Sequence, residues 1–185
     1  MIQNSVTSKL PLQGPRISLT AVESSDIPFL REFFQDMSSL LYYIPTTARP
    51  LNEQQIESLL MDWNDGKENF VFAVRIQGRL IGLVNLDGLD WVNSHVEAGI
   101  ALTDPDVRGQ GLASETLSLL IQYCFEELGL HRIWARIIDR NIPSIRLFQS
   151  LGFREEGRMR QHVLRNGEYR DMLIMGLLNQ PQDGC

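Results

Sequence analysis

Between Asp104 and Glu115 the chain reads DPDVRGQGLASE, with Arg108 ahead of two glycines, Gly109 and Gly111, and a helix-spaced segment behind them. The first turn of a helix carries backbone N–H groups without intrahelical acceptors, and glycines let an anion come close to them. Arg108 adds positive charge. The same glycines equally suit a loop that only needs positive φ. A nucleoside triphosphate loop, G-x-x-x-x-G-K-[ST], does not fit, because no lysine follows Gly111. A dinucleotide fingerprint fits poorly, because Ser114 stands where its third glycine belongs and a proline-bearing loop precedes it. Two readings stay open here, a pyrophosphate cradle and a plain turn.

Other residues suited to chemistry are scattered along the chain. Glu97 lies two positions from both His95 and Gly99, so in a strand these three share a face. A carboxylate there could take a proton from an amine or attract a cation, and it could equally be a solvated surface group. Asn141 precedes Ile142-Pro143-Ser144, and a capping oxygen at Asn141 must reach the Ser144 amide because Pro143 has no N–H. Ser144 is then either a reactive hydroxyl or a small residue in a first helical turn. Cys124 falls on the apolar face of a helix and reads as core rather than as a nucleophile.

These residues must be positioned by alternating strands and helices. Arg16 to Thr20 alternates as a strand, and Ser24 to Asp26 offer caps for a helix with Ile27, Leu30, Phe33 and Phe34 on one side. Leu40 to Pro50 reads as a loop with adjacent Tyr42 and Tyr43, and Asn52 caps a second helix reaching about Trp63. Phe70 to Arg75 and Leu80 to Leu86 form strands joined at Gln77-Gly78, and His95 to Leu102 is a third strand after a loop holding Gly88 and Trp91. Helical spacing runs from Ala113 to Leu128 and ends at Gly129. His131 to Ile138 is a strand, Asn141 to Ser150 a helix, and Phe153 to Leu164 and Glu168 to Leu178 are strands around the turn Asn166-Gly167. Tyr169 and Asp171 follow that turn and read as hairpin structure. The order βααβββαβαββ predicts a mixed α/β sheet with helices on its faces.

Bulk properties narrow the class. A chain of 185 residues, 43% hydrophobic and 22% charged, makes one domain, residues 1–185, with 1–14 as an extension and 179–185 as a tail. Cys124 and Cys185 do not suggest a disulfide, in keeping with a reducing, cytoplasmic setting. The opening MIQNSVTSKLPLQG lacks the apolar run of a signal peptide, and no later run is long enough to span a bilayer. A net charge of −6 speaks against nucleic acid as a partner and is compatible with a cationic substrate.

Two motifs carry a family resemblance. RGQGLA, from Arg108 to Ala113, resembles the R/Q-x-x-G-x-G/A signature of the GNAT superfamily of N-acetyltransferases, and NIPSIRLFQSLGF, from Asn141 to Phe153, resembles its second signature. With the element order, the likeness extends over roughly residues 16 to 178. It implies the GNAT fold, about seven strands flanked by four helices, and acetyl-CoA as the cofactor with no metal. It also implies direct acetyl transfer to a primary amine. By the same resemblance Leu102, Thr103, Arg108, Gly109, Gln110, Gly111, Leu112, Ala113 and Asn141 bind the cofactor, the strand carrying Leu102 and Thr103 splaying from its neighbour to offer free backbone groups.

The ending EEGRMRQHVLRNGEYRDMLIM resembles the branch containing ribosomal-protein N-terminal acetyltransferases and spermidine N-acetyltransferase. Its acceptors are protein N-termini, polyamines and other small amines, and dimers are common in it. The chain departs from the family at Phe148, where many relatives place a tyrosine acid. Ser144 matches a serine used near the sulfur and becomes the acid candidate, with Glu97 the base candidate. The branch's glutamate on the next strand aligns with Val163, and regular alternation turns His162 to the opposite face. Tyr42, Tyr43 and Trp91 border the acceptor site in such relatives. The departure at Phe148 and the absence of a secure base also prompt a competing expectation, a non-catalytic acyl-CoA-binding or sensory domain.

Overall fold

The computed structural model describes residues 11–43, 49 and 51–179. Residues 44–48 and Pro50 of the expected loop, Cys185 and the first ten residues, on which parts of the expectations above fall, lie outside them. The elements are β1 (Leu12–Gln13), β2 (Ser18–Thr20), α1 (Ile27–Gln35), α2 (Met37–Tyr43), α3 (Glu53–Asp62), β3 (Phe70–Ile76), β4 (Arg79–Asp90) and β5 (His95–Leu102). They continue as α4 (Leu112–Gln122), β6 (Arg132–Ile138), α5 (Ile142–Ser150), β7 (Arg154–Arg165) and β8 (Glu168–Leu178). All eight strands join one sheet in the order β1-β2-β3-β4-β5-β6-β8-β7, parallel at β5–β6. Among the described residues no helix is long and apolar enough to cross a membrane.

The GNAT fold expected from the sequence is present, with eight strands and five helices among the described residues in place of seven and four. One addition is the short β1. The other is α2, where the sequence suggested a loop from Leu40: Asp36 takes the Ser38 amide at 3.0 Å and the Ser38 hydroxyl at 2.7 Å, and Leu40 is buried beneath it. A local acceptor and one buried leucine outweigh the weak helical period of MSSLLYY. The helix expected to reach Leu128 is regular to Gln122 and then widens into a π-helical turn, Tyr123–Glu127.

Turn chemistry follows the residue types. Gln77 and Gly78 have φ of 49° and 83°, Asn166 and Gly167 of 51° and 77°, the double positive pair of a tight hairpin. Asn52 accepts from the Gln55 amide at 2.9 Å, and Gln55 returns a bond of 2.9 Å to the Asn52 amide, so α3 begins where its cap is.

Helices cover both faces of the sheet. On one, α4, the π-helical turn after it and α5 bury Leu117, Leu120, Cys124 and Phe148 against Phe72, Val84 and Ile133. On the other, α1 to α3 bury Leu30, Phe34, Leu40 and Ile56 against Val71 and Leu83. Alternate residues of β3 and β4 feed the two layers, the period-two signature of a central strand.

Candidate acceptor and cofactor site

The sheet splits at its centre. β5 pairs with β6 only through His95↔Arg132, Val96↔Ile133 and Glu97↔Trp134, while it stays on β4 as far as Gly82↔Leu102. Beyond Glu97 the two parallel strands diverge. Thr103 donates its amide to the Ile81 carbonyl at 3.0 Å, which fixes the phase of the antiparallel ladder. Odd residues of β5 therefore bond to β4, and the backbone groups of Ala98, Ile100 and Leu102 face the split. Of the two residues expected to offer free groups, Thr103 has spent its amide and the Leu102 carbonyl accepts from the Arg108 guanidinium at 3.3 Å, which leaves the Leu102 amide on the open side.

A groove of about 800 Å³ runs from this edge over the N-terminus of α4. Leu102, Arg108, Gly109, Gly111, Leu112, Ala113 and Asn141 line it. Gly111 is the N-cap of α4 at φ 77°, ψ 4°, and Glu115 is the first residue of the turn to bond back to it, at 3.1 Å. The amides of Leu112, Ala113 and Ser114 thus have no intrahelical acceptor. An added Cβ on Gly109 would meet nothing within 4 Å, so the loop surface is open to a bulky anion. Gln110 does not line the groove: its side-chain amide bonds to the Asp106 carbonyl at 2.9 Å, and its own carbonyl accepts from Arg16 at 3.0 Å.

The loop is braced from outside by a contact that no local motif signals. Glu115, on the first turn of α4, takes the Arg16 amide at 2.6 Å, the Ile17 amide at 3.2 Å and the Arg16 guanidinium at 2.7 Å. Burial opposes ionisation of Glu115, yet the Arg16 and Ile17 amides outweigh it and hold the carboxyl below its ordinary range. Valine at Gly111 is expected to cost about 1–2 kcal/mol of loop geometry. The KM for acetyl-CoA should rise about tenfold, which initial-rate kinetics at saturating acceptor will measure.

On the far side of the split lies a smaller cavity of about 230 Å³. Part of its polar lining comes from one sheet face: Asn85 and Asp87 on β4 stand opposite Gly99 and Glu97 on β5, with Arg136 on β6. Gly99 has to be glycine here, since a Cβ would sit 2.6 Å from Asn85 Oδ1, which also accepts the Tyr43 hydroxyl at 3.3 Å. Tyr43 packs edge-on against Phe33 and Trp63, and burial pushes its phenol well above the usual range.

Glu97 is where the structure departs from the base expectation. Arg136 grips it with bonds of 2.9, 3.1 and 2.8 Å across the mouth of the split, so the carboxylate lone pairs that a base needs are already engaged. The Glu97 carboxylate in turn holds the Arg136 guanidinium above its ordinary range. His95 does not line the cavity, and Trp91, 56% exposed at the β4–β5 hairpin, lines neither space. β4 runs on to Asp90, so the loop expected from Leu86 to His95 shortens to a turn over residues 91–94.

His162 corrects a second expectation. Met159 pairs with Met172 and Val163 with Arg170, so Arg160, Gln161 and His162 stand opposite Asp171 alone. Simple alternation fails across this bulge, and both His162 and Val163 line the cavity. The residue types around 160 carry no signal for a bulge, which is why the sequence could not find it.

The two spaces meet at one place. Ile100, Asn141, Ser144, Tyr42 and Tyr43 line both. Asn141 Oδ1 accepts the Ser144 amide at 3.3 Å, the cap that Pro143 forces, so the first turn of α5 holds Ser144 at the junction. Phe148 is 2% exposed and packs edge-on against Phe153 at 4.9 Å, with no hydroxyl to offer. Burial pushes the Cys124 thiol up to about 12, far from nucleophilic use.

Residues 16–154 match the acetyltransferase (GNAT) domain. The chain belongs to the GNAT acetyltransferase family. The "Uncharacterized N-acetyltransferase p20" of Bacillus licheniformis is 30% identical over 179 residues, covering 94% of this chain and 98% of that protein. The "Putative ribosomal N-acetyltransferase YdaF" of Bacillus subtilis is 33% identical over 131 residues, covering 69% and 71%. Spermidine N-acetyltransferase from Vibrio cholerae, solved in complex with CoA and spermine, superposes with a TM-score of 0.78 at 26% identity, covering 88% of this chain and 95% of that one. This GNAT chain is an acetyl-CoA-dependent N-acetyltransferase, so the non-catalytic alternative falls away. The groove over α4 fits that substrate: an open glycine, three unsatisfied amides and Arg108 suit a pyrophosphate, and the exposed edge of β5 suits an extended amide-bearing arm.

Proposed function

We propose that the chain moves the acetyl group directly from the thioester, laid in the larger groove, to a primary amine held in the smaller cavity. The junction lined by both spaces carries this reading. Acetyl-CoA supplies an activated carbonyl. The residues of the chain do the rest: Leu102, Arg108, Gly109, Gly111, Leu112, Ala113 and Asn141 bind and orient it, the Ile100 and Leu102 amides polarise the carbonyl, and the Ser144 hydroxyl delivers a proton toward the sulfur.

The cavity's charge favours one kind of acceptor. Asp87 and Glu97 are balanced by Arg136 and Arg165, with His162 beside them. A polycation would meet as much positive charge as negative, whereas a peptide N-terminus brings a single charge to a balanced cavity. The proposed acceptor is therefore a peptide or protein N-terminus. A polyamine is the second reading, favoured by the spermine in the Vibrio cholerae complex. A dodecameric structure of the Vibrio cholerae enzyme supports homo-oligomers here as well, which light scattering tests.

The test is thiol release from acetyl-CoA across peptides with free N-termini, spermidine, spermine and monoamines. Peptides are expected to give the highest kcat/KM, with initial-rate lines that intersect, as a direct transfer requires. Parallel lines would point to an acetylated enzyme instead, and a preference for polyamines would select the second reading.

A further inference from the structure

We propose that His162 is the proton acceptor for the incoming amine. This deepens the reading above, since it rests on the smaller cavity being the acceptor's. An alkylamine arrives as the ammonium ion, and acetylation removes two protons from its nitrogen. One is lost before the nitrogen lone pair can form the new C–N bond. The other leaves as the C–S bond breaks and the electron pair goes to sulfur, which takes up a proton to become the thiol. His162 takes the first and passes it to water; the second is the one that Ser144 serves.

Three observations converge on His162. It lines the acceptor cavity while remaining exposed, so it has contact with both the amine and the solvent that must carry the proton away. Two of the other groups around the cavity are committed, Glu97 to Arg136 at 2.8 to 3.1 Å and the Tyr43 hydroxyl to Asn85. An imidazole is also the kind of side chain suited to exchange protons near neutral pH.

The backbone that presents His162 is itself unusual. Gln161 has φ of 51°, a left-handed conformation that a residue with a Cβ adopts at a cost. Its amide donates to Asp171 Oδ1 at 2.8 Å, and Arg158 donates to Asp171 Oδ2 at 3.3 Å, so the carboxylate on β8 holds the bulge in place. A regular ladder would have been simpler and would have turned residue 162 away. Asp171 is thus a positioning residue for His162.

Other groups lining the cavity could shape the pH response: Asp87 on β4, Glu97 on β5, Arg136 on β6, Arg165 on β7, and Tyr42 and Tyr43 on α2. The experiment isolates His162 from them. The native chain and the variants His162→Gln and His162→Ala are compared on two acceptors, an alkylamine charged at pH 7 and an arylamine already neutral there. With the alkylamine, His162→Gln should lower kcat/KM about a hundredfold and remove the limb of the pH profile between about pH 5 and 8. With the arylamine the loss should shrink to a few-fold, and the KM for acetyl-CoA should not move. Added imidazole should partly restore His162→Ala. Equal losses on both acceptors, or a retained limb with activity intact, overturn the proposal while leaving the reading of the site standing. No transfer by the native chain to any amine overturns both.

Discussion

Replacing Ser144 with alanine lowers kcat about a hundredfold and leaves the KM for acetyl-CoA within about twofold. The contrast comes from where each atom of Ser144 sits. Its amide is held by Asn141 at 3.3 Å, so truncating the side chain leaves the α5 cap intact and keeps Asn141 in the cofactor groove. Its side chain belongs to the junction lined by both cavities. A departing thiolate needs a proton at that point, and Phe148, buried against Phe153, has none to give. A general acid is worth about a hundredfold or more in kcat when it acts on the leaving group. Steady-state kinetics on the peptide acceptor separate the outcomes: unchanged kcat with a raised KM would put the hydroxyl in cofactor binding and remove it from the chemistry.

Alanine at Asp26 destabilises the fold by about 3 kcal/mol, a shift in the urea midpoint of about 1–1.5 M. Asp26 sits under α1 with its side chain 4% exposed, and it accepts two bonds from Arg75 of β3, at 2.9 and 2.6 Å. Its Oδ2 also takes the Glu23 amide at 2.9 Å, closing the turn that starts α1. Arg75 donates further to Thr20 of β2 at 2.8 Å. Removing the carboxylate strands a largely buried guanidinium and releases the capped turn together, which is why the loss exceeds that of a surface pair. Urea unfolding followed by far-ultraviolet circular dichroism gives the midpoint. A shift below about 0.3 M would mean that water replaces the carboxylate without penalty.

Much of this molecule was legible in its residues because the signals are local. Gln77-Gly78 and Asn166-Gly167 specify hairpins through their own backbone preferences, and Asn52 and Asn141 mark helix starts through their own side chains. The spacing of Arg108, Gly109 and Gly111 before a helix is likewise a local statement about exposed amides. From these followed the element order, while the GNAT fold and acetyl-CoA followed from the resemblance of RGQGLA and NIPSIRLFQSLGF to the family's two signatures.

What the residues could not disclose depends on pairs far apart in sequence. The split between β5 and β6 is a matter of how long two parallel strands stay bonded, and no residue between His95 and Leu102 announces where pairing stops. Arg136 claims Glu97 because it lies two residues beyond Trp134, the residue of β6 that pairs with Glu97, 39 positions away in sequence. Arg16 finds Glu115 across a separation of 99. At His162 the period of two, which is reliable in a regular strand, was broken by three residues facing one, with Asp171 holding the irregularity from the neighbouring strand. Sequence by itself determined the family and the cofactor, through motifs that are contiguous stretches of backbone. Tertiary structure alone decided that Glu97 is paired with Arg136, that His162 lines the smaller cavity and where the two spaces meet, because each is set by long-range register and charge pairing.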